Sequence, residues 1–251
     1  MSAATDRNIL PYPPIDLLAN TSLFIDFDGT LVDIADRPDD VVVDAELTQL
    51  LSALNDQTQG RLAIVSGRSV AQLDILLGPV AQELALSGSH GSEHRWKGIS
   101  AHPIRPPSLD IVADQFQSAA SNQPGALVEI KNYGVALHYR LAPEMEPYAH
   151  SLANGLAVQH GLARQDGKMM VELRVPGSDK GVAVRRMMQR PHLQFTRPIF
   201  IGDDVTDEPG FESAQSLNGV GILVGPERLT AAQYRLENPA ATRKWLAGAL
   251  A

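Results

Sequence analysis

The chain has 251 residues, no cysteine and a formal net charge of −8. The lack of cysteine excludes disulfides, thiolate catalysis and Cys-ligated zinc, and the acid excess argues against a nucleic-acid partner, which needs a basic surface. With 44% hydrophobic residues the chain can bury a sizeable core, as one large or two small domains.

The first twenty residues carry Asp6, Arg7 and three prolines but no apolar signal region, and residues 1–21 read as an N-terminal arm. No apolar run approaches the ~20 residues of a spanning helix, so a cytoplasmic protein without a membrane partner is expected. Leu23-Phe24-Ile25 then reads as a buried strand, running into Asp26-Phe27-Asp28-Gly29-Thr30. Two carboxylates one residue apart are costly unless a divalent metal or a shared proton neutralises them. In an open parallel sheet, the carboxyl end of a strand is also where ligands bind. Taken alone, the pentapeptide also fits a strand followed by an Asx-type turn.

Leu47, Leu50, Leu51 and Leu54 stand at i, i+3, i+4 and i+7 of a helix. The strand expected over 61–65 ends in Ser66-Gly67-Arg68. That tripeptide reads either as a phosphate cradle, from a hydroxyl and free backbone N–H groups, or as a helix N-cap. A helix with Val70, Leu73, Leu76 and Leu77 follows, then a strand over 84–87 entering Gly88-Ser89-His90-Gly91. This is βαβ alternation, with right-handed crossovers expected. It is taken to break at Pro103, Pro106 and Pro107, a linker.

Beyond the prolines the pattern changes. A helix near 108–121 precedes a hairpin of 127–131 and 135–140 turning at Asn132-Tyr133-Gly134. A helix near 144–160 precedes a second hairpin, turning at Asp166-Gly167 before 168–175. Strand alternation groups Val128 and Ile130 against Glu129 and Lys131, and Val135, Leu137 and Tyr139 against His138 and Arg140. It also groups Met169, Val171, Leu173 and Val175 against Met170, Glu172 and Arg174. The expected result is a small antiparallel sheet with helices on one face and Glu129, Lys131, Arg140, Glu172 and Arg174 on the other. That polar face is either an ordinary solvated surface or the underside of a lid.

The parallel pattern resumes after Gly177. Asp179-Lys180-Gly181 precedes a helix with Val184, Met187 and Met188; a lone lysine there is commonly a solvated surface residue. Ile199-Phe200-Ile201 is another apolar strand, leading into Gly202-Asp203-Asp204-Val205-Thr206-Asp207-Glu208. Four acids that close together would repel one another without a cation. An oxygen-only set of this kind suits a hard ion, Mg²⁺ before Ca²⁺.

In this order, the Asp26–Thr30 pentapeptide, Ser66, Lys180 and the 202–207 acidic stretch resemble the four motifs of the haloacid-dehalogenase-like phosphotransferase superfamily. The likeness runs from residue 22 to about 235. It is finer to the trehalose-6-phosphate phosphatases, through DFDGTLVDIADRPDD (26–40), SGR (66–68), GSHGSE (88–93), EIKNYGVALHYR (129–140), VELRVPGSDKG (171–181), GDDVTDEPGF (202–211) and AAQYRL (231–236). Pro209 departs from the polar residue expected there, but proline is tolerated in the first turn of a helix.

The resemblance implies an α/β fold: a Rossmann-like parallel-sheet core (22–104 and 178–251) with an inserted α/β cap (105–177). It implies Mg²⁺-dependent hydrolysis of trehalose 6-phosphate through an aspartyl-phosphate. Asp26 would be the nucleophile. The metal ligands would be Asp26, the main-chain carbonyl of Asp28 and Asp203, with Asp204 and Asp207 orienting waters around the ion. The Asp28 side chain would be the acid and then the base, for which it must first hold a proton. Gly29, Thr30, Ser66 and Lys180 would hold the phosphoryl group. Gly67, Arg68, His90 and Gly91 lie toward the substrate, although His90 equally fits a structural loop histidine. Glu129, Lys131, Arg140 and Glu172 would meet the sugar. A monomer acting on a phosphorylated disaccharide follows. A related capped enzyme on another phosphosugar (sucrose-phosphate, mannosyl-phosphoglycerate) would share the core chemistry. A non-catalytic phosphosugar sensor would have no need of the acid/base aspartate.

Overall fold

The computed structural model describes residues 10–35 and 40–250 of the chain. Positions 36–39 of the block 26–40, and the first nine positions of the expected arm, lie outside the described residues. The chain divides into two compact units: Met1–Ala101 with Asp179–Ala251, and His102–Ser178. Along the chain run β1 (Thr21–Ile25), α1 (Ala45–Gln57), β2 (Leu62–Val65), α2 (Val70–Leu77), β3 (Ala85–Gly88), β4 (Glu93–Trp96) and β5 (Ile99–Ala101). The smaller unit holds α3 (Ser108–Ala120), β6 (Leu127–Ile130), β7 (Gly134–His138), α4 (Glu146–His160), β8 (Ala163–Gly167) and β9 (Met170–Arg174). The larger unit resumes with α5 (Lys180–Met188), β10 (Arg197–Gly202), α6 (Glu208–Ser216), β11 (Val220–Val224), β12 (Tyr234–Leu236) and α7 (Pro239–Ala247).

The larger unit is an α/β sandwich on one sheet, ordered β12-β11-β10-β1-β2-β3-β4-β5. The strands from β12 to β3 pair in parallel. All five residues of β1 are buried, as a strand covered on both faces requires. Its alternation sets the layers. Leu23 and Ile25 join α1, α2 and α7 through Leu47, Leu51, Leu54, Leu73, Leu77 and Leu246. Phe24 joins α5 and α6 through Val184, Met187 and Phe211. Each fully buried leucine of α1 contributes about 1.5–3 kcal/mol. The chain moves from β1 to β2 and β3 on one side and returns to β10 and β11 on the other. The topological switch point therefore lies between β1 and β10, where such sheets place their ligand crevice.

Two features of this unit differ from the sequence expectation. Residues 93–101 continue the sheet as an antiparallel ribbon, β4 on β3 and β5 on β4. Lys97 and Gly98 turn it, both at positive φ (47° and 76°), the geometry that a two-residue hairpin loop demands. Helix α2 is capped by Ser69, not Ser66: the Ser69 hydroxyl accepts from Gln72 N while the Gln72 side chain accepts from Ser69 N, a capping box. Ser66 is left at the end of β2.

The smaller unit is a four-stranded antiparallel sheet, β6-β7-β9-β8. Val135, Leu137, Tyr139, Val171 and Leu173 pack against Leu109, Val112 and Phe116 of α3 and Ala149, Ala153 and Leu156 of α4. The register sets Glu129 opposite Ala136, Ala136 opposite Glu172, and Glu172 opposite Gln165, so the carboxylates share the other face. The second hairpin turns at Lys168-Met169, not Asp166-Gly167, because Gly167 already pairs with Met170; Met169 takes the positive φ (61°). Strand β7 ends at His138, which puts Arg140 in the following turn, exposed. Among the described residues no helix is long and apolar enough to cross a membrane.

Candidate active site

Asp26 follows β1 directly, and its N–H donates to Ile201 O of β10 at 2.9 Å. The residue is 4% exposed. Lys180 opens α5 behind the N-cap Asp179, and its chain is drawn inward to 3% exposure rather than out to solvent. Its ammonium donates to Asp26 Oδ1 and to Asp207 Oδ1, both at 2.7 Å. Thr30 Oγ1 lies 3.5 Å from Asp26 Oδ2 and 3.4 Å from Asp203 Oδ1. Gly29 has φ 78°, and a Cβ there would sit 2.2 Å from Asp203 Oδ2. Only glycine lets the β1 loop approach the β10 loop this closely.

The four acids of the second cluster take four different roles. Asp203 faces Asp26. Asp207 folds back under the loop, fully buried, and its Oδ2 accepts from the amides of Asp203 and Asp204 at 3.1 and 3.0 Å. Asp204 is exposed and its Oδ1 accepts from Val205 N. Glu208 opens α6, accepting from Arg228, Thr230 Oγ1 and Ala231 N. Pro209 sits in the first turn of α6.

Carboxylate oxygens of Asp26, Asp203 and Asp207 lie within 4.8 Å of one another, against the single ammonium of Lys180. The electrostatics register the imbalance. Burial raises Asp26 well above the usual carboxylate range; Lys180 opposes this, and Asp207 and Asp203 add to it. Burial, then Asp207, pushes Asp203 up to about 6. Burial alone would lower the Lys180 pKa, but the carboxylates of Asp207 and Asp26 more than reverse that, and it rises. Asp207 spends both oxygens on three N–H donors, whereas Asp26 Oδ2 and Asp203 Oδ1 have only the long contacts from Thr30, so Asp26 and Asp203 keep oxygens for a hard cation. A set of oxygen donors carrying uncompensated negative charge fits Mg²⁺.

Asp28 is turned to Arg68, whose Nε and NH2 fork its two oxygens at 2.7 Å each. Forty positions separate the two residues, and no local pattern announces the pair. Ser66 is buried, with Oγ accepting from Arg68 N at 3.1 Å. The His90 ring lies against Gly67, where a Cβ would come within 2.7 Å of it. His90 itself has φ 52°. Gly91 abuts the start of α5: a Cβ there would meet Asp179 O at 2.5 Å. Gly91 therefore has a packing reason to be glycine.

In the smaller unit, Lys131 Nζ donates to Glu172 Oε2 at 2.6 Å and lies 4.0 Å from Glu129 Oε2. Glu172 is buried. His138, absent from the candidate set although alternation puts it on this face, pairs with Glu129 Oε2 at 3.0 Å. Glu129, Lys131 and Glu172 thus come together, while Arg140 stands in the turn beyond them.

The fold of the chain is that of haloacid-dehalogenase-like hydrolases. One such hydrolase from Bacteroides thetaiotaomicron matches the fold at a TM-score of 0.67 and 15% identity, covering 91% of this chain and 98% of that one. Residues 24–240 match the trehalose-phosphatase family model. The trehalose-6-phosphate phosphatase of Escherichia coli (strain K12) is 36% identical over 234 residues, 92% of this chain and 87% of the relative. The crystal structure of a trehalose-6-phosphate phosphatase related protein matches with a TM-score of 0.76 at 30% identity, covering 91% of this chain and 96% of that one. The chain belongs to the trehalose-phosphatase family.

Proposed function

We propose that this protein hydrolyses trehalose 6-phosphate to trehalose and inorganic phosphate, with Asp26 as the nucleophile. The observation that carries the reading is the buried Asp26–Lys180–Asp207 chain facing Asp203 at the switch point, in a member of this family. A carboxylate Oδ of Asp26 attacks phosphorus in line, and the bond from phosphorus to the sugar oxygen breaks. Asp28 gives that oxygen its proton, then takes one from the water that cleaves the aspartyl-phosphate, returning Asp26 and releasing phosphate. For either transfer the Arg68 fork on Asp28 must open, so Arg68 controls when Asp28 is free. Thr30, Ser66 and the Lys180 ammonium hold phosphoryl oxygens and offset their charge.

Asp26, Asp203 and the main-chain carbonyl of Asp28 would hold Mg²⁺, which when bound offsets the repulsion between carboxylate and phosphate dianion. Asp207 acts as a clamp on the 203–207 loop, a role its three hydrogen bonds support over that of orienting water. The smaller unit is the specificity cap, with Glu129, Lys131, Glu172 and His138 pairing sugar hydroxyls and Arg140 at the margin of that face. The test is phosphate release over a panel of phosphosugars, with Mg²⁺ and with EDTA. Trehalose 6-phosphate should be the fastest substrate and should need Mg²⁺. A tenfold preference for another phosphosugar, or full activity in EDTA, overturns the reading.

A further inference from the structure

The larger unit concentrates positive charge at the other end of its strands. Arg61 precedes β2. Trp96 ends β4, which runs antiparallel to β3 and so reaches the strand starts. Helix α5 begins at Lys180 and runs nine residues, about 13 Å, toward Arg186 and Arg190. Four cations from three parts of the chain gather here. The His192 ring stacks on Trp96 at 4.4 Å and 4°. The Arg190 guanidinium lies 4.2 Å from the Trp96 centroid and the Lys97 ammonium 5.0 Å. Arg186 reaches to 3.5 Å from His94 Nε2. Arg61, Trp96 and Arg190 also border one small apolar depression with Leu62, Met187 and Leu193.

Among the described residues, none of Arg61, Lys97, Arg186 and Arg190 forms an ion pair with a carboxylate. That is unexpected in a chain with 29 acids to 21 bases. The field is felt by both imidazoles. Burial, then Arg186 and Arg190, lowers His94 to about 4; burial, then Lys97, Arg190 and Arg61, lowers His192. His192 Nε2 is buried without a hydrogen-bond partner. Stacking accounts for Arg190, and the C-terminal dipole of α5 accounts for Arg186. The same indole draws Lys97, and Arg61 donates to Thr21 O and Gln59 Oε1; what these contacts do not offset is the charge of four cations in one region with no paired carboxylate among the described residues, where like charges repel.

We propose that this cluster binds a phosphate-type oxyanion, either inorganic phosphate or the phosphate group of a small phosphorylated metabolite. Guanidinium forks match a tetrahedral oxyanion in shape and charge. The indole is already covered by His192 and Arg190, which leaves no open ring face for a nucleobase.

Trp96 reports on the site directly. The other tryptophan, Trp245, is buried, with Nε1 bonded to Pro13 O. The protein is titrated in EDTA, where the acidic cluster repels anions, with inorganic phosphate, glucose 6-phosphate and chloride at matched ionic strength. Fluorescence and calorimetry are both read. A saturable response to phosphate or to glucose 6-phosphate, absent with chloride, is expected, and the tighter of the two identifies the source. Lys97→Glu, at an exposed turn, should weaken it at least tenfold, and Lys97→Ala with Arg190→Gln likewise. Mg²⁺-dependent activity in both variants should stay within twofold of the parent. A non-saturating response that chloride reproduces, or unchanged affinity in Lys97→Glu, overturns the proposal.

Discussion

Replacing Asp207 with asparagine separates two roles: a clamp inside the protein, or a group that orients water about a cation. The Asp207 carboxylate accepts from Lys180 at 2.7 Å through Oδ1, and from the amides of Asp203 and Asp204 at 3.1 and 3.0 Å through Oδ2. An asparagine has only one acceptor oxygen. Turned either way, its NH₂ group faces a donor, either the Lys180 ammonium or the two amides. A hydrogen bond to a charged group is worth about 1.5–3 kcal/mol. Breaking a buried pair costs about 3–5 kcal/mol, and Lys180 keeps Asp26 as partner, so the lower end, about 3 kcal/mol, is expected. That is a large share of the roughly 5–15 kcal/mol that holds a domain folded. Urea unfolding in EDTA, followed by far-UV circular dichroism, measures it without any contribution from bound metal. A loss below about 1 kcal/mol, together with a tenfold rise in the Mg²⁺ needed for half-maximal activity, would refute the clamp and restore the water-orienting role.

Asp26→Asn should abolish Mg²⁺-dependent phosphate release, because an amide is a poor nucleophile and a poor ligand. Its metal-free urea midpoint should not fall, since the ionised carboxylate it replaces is disfavoured by burial; a folded variant that kept substantial activity would remove Asp26 from the mechanism. Glu172→Gln preserves the shape of a buried side chain but ends its ion pair with Lys131. It should lower kcat/KM for trehalose 6-phosphate by about 1–3 kcal/mol, roughly 5- to 150-fold, and leave nitrophenyl phosphate hydrolysis unchanged; proportional losses on both substrates would make Glu172 structural. His94 is held neutral in the fold, its pKa lowered to about 4 by burial and then by Arg186 and Arg190. The unfolded imidazole takes up a proton near pH 6.5. Its stability contribution is therefore present above that pH and is lost as the pH falls toward 4, by at most about 2 kcal/mol at pH 5, and by less after solvent screening. His94→Gln should reduce the drop in urea midpoint between pH 7 and pH 5, and an unchanged drop would show that other groups cause it.

The parallel strands are legible because burial on both faces leaves continuous apolar runs, as in Leu23-Phe24-Ile25 and Ile199-Phe200-Ile201. The residues that end those strands are legible for the same reason. What the spacing does not carry is direction. Asp203, Asp204, Asp207 and Glu208 look alike along the chain, yet a 3-10 turn at Val205–Asp207 sends Asp207 inward and Asp204 outward. The β4–β5 ribbon hides because its turn is Lys97-Gly98, and a positive φ at lysine has no strong sequence signal. At the second hairpin of the smaller unit, Asp166-Gly167 is the better local turn signal, but the register with β9 wins and moves the turn to Lys168-Met169. The Arg68–Asp28 fork and the Trp96 cluster join positions far apart in sequence, and no local pattern announces either.

The larger unit also explains why its motifs alone leave the sugar open. Under the proposed function, every group at the switch point serves a phosphoryl oxygen, the nucleophile or a cation. Discrimination among phosphosugars has to come from elsewhere. The polar face of the smaller unit carries Glu129 and Glu172 against Lys131, with His138 beside Glu129. With Arg174 on the same face as Glu172, two carboxylates stand with two cations, and the face offers both acceptors and donors, suited to the hydroxyl groups of a sugar. Under the proposed function, a neutral distal sugar such as the second glucose of trehalose 6-phosphate meets that face with donors. A phosphosugar without hydroxyls at those positions would leave these groups unpaired. The buried position of Glu172 sharpens the distinction, because a buried acceptor left without a donor costs about 1–3 kcal/mol. Under the proposed function, the paired donors and acceptors of this face therefore favour a hydroxyl-rich sugar among the substrates that the core chemistry would accept.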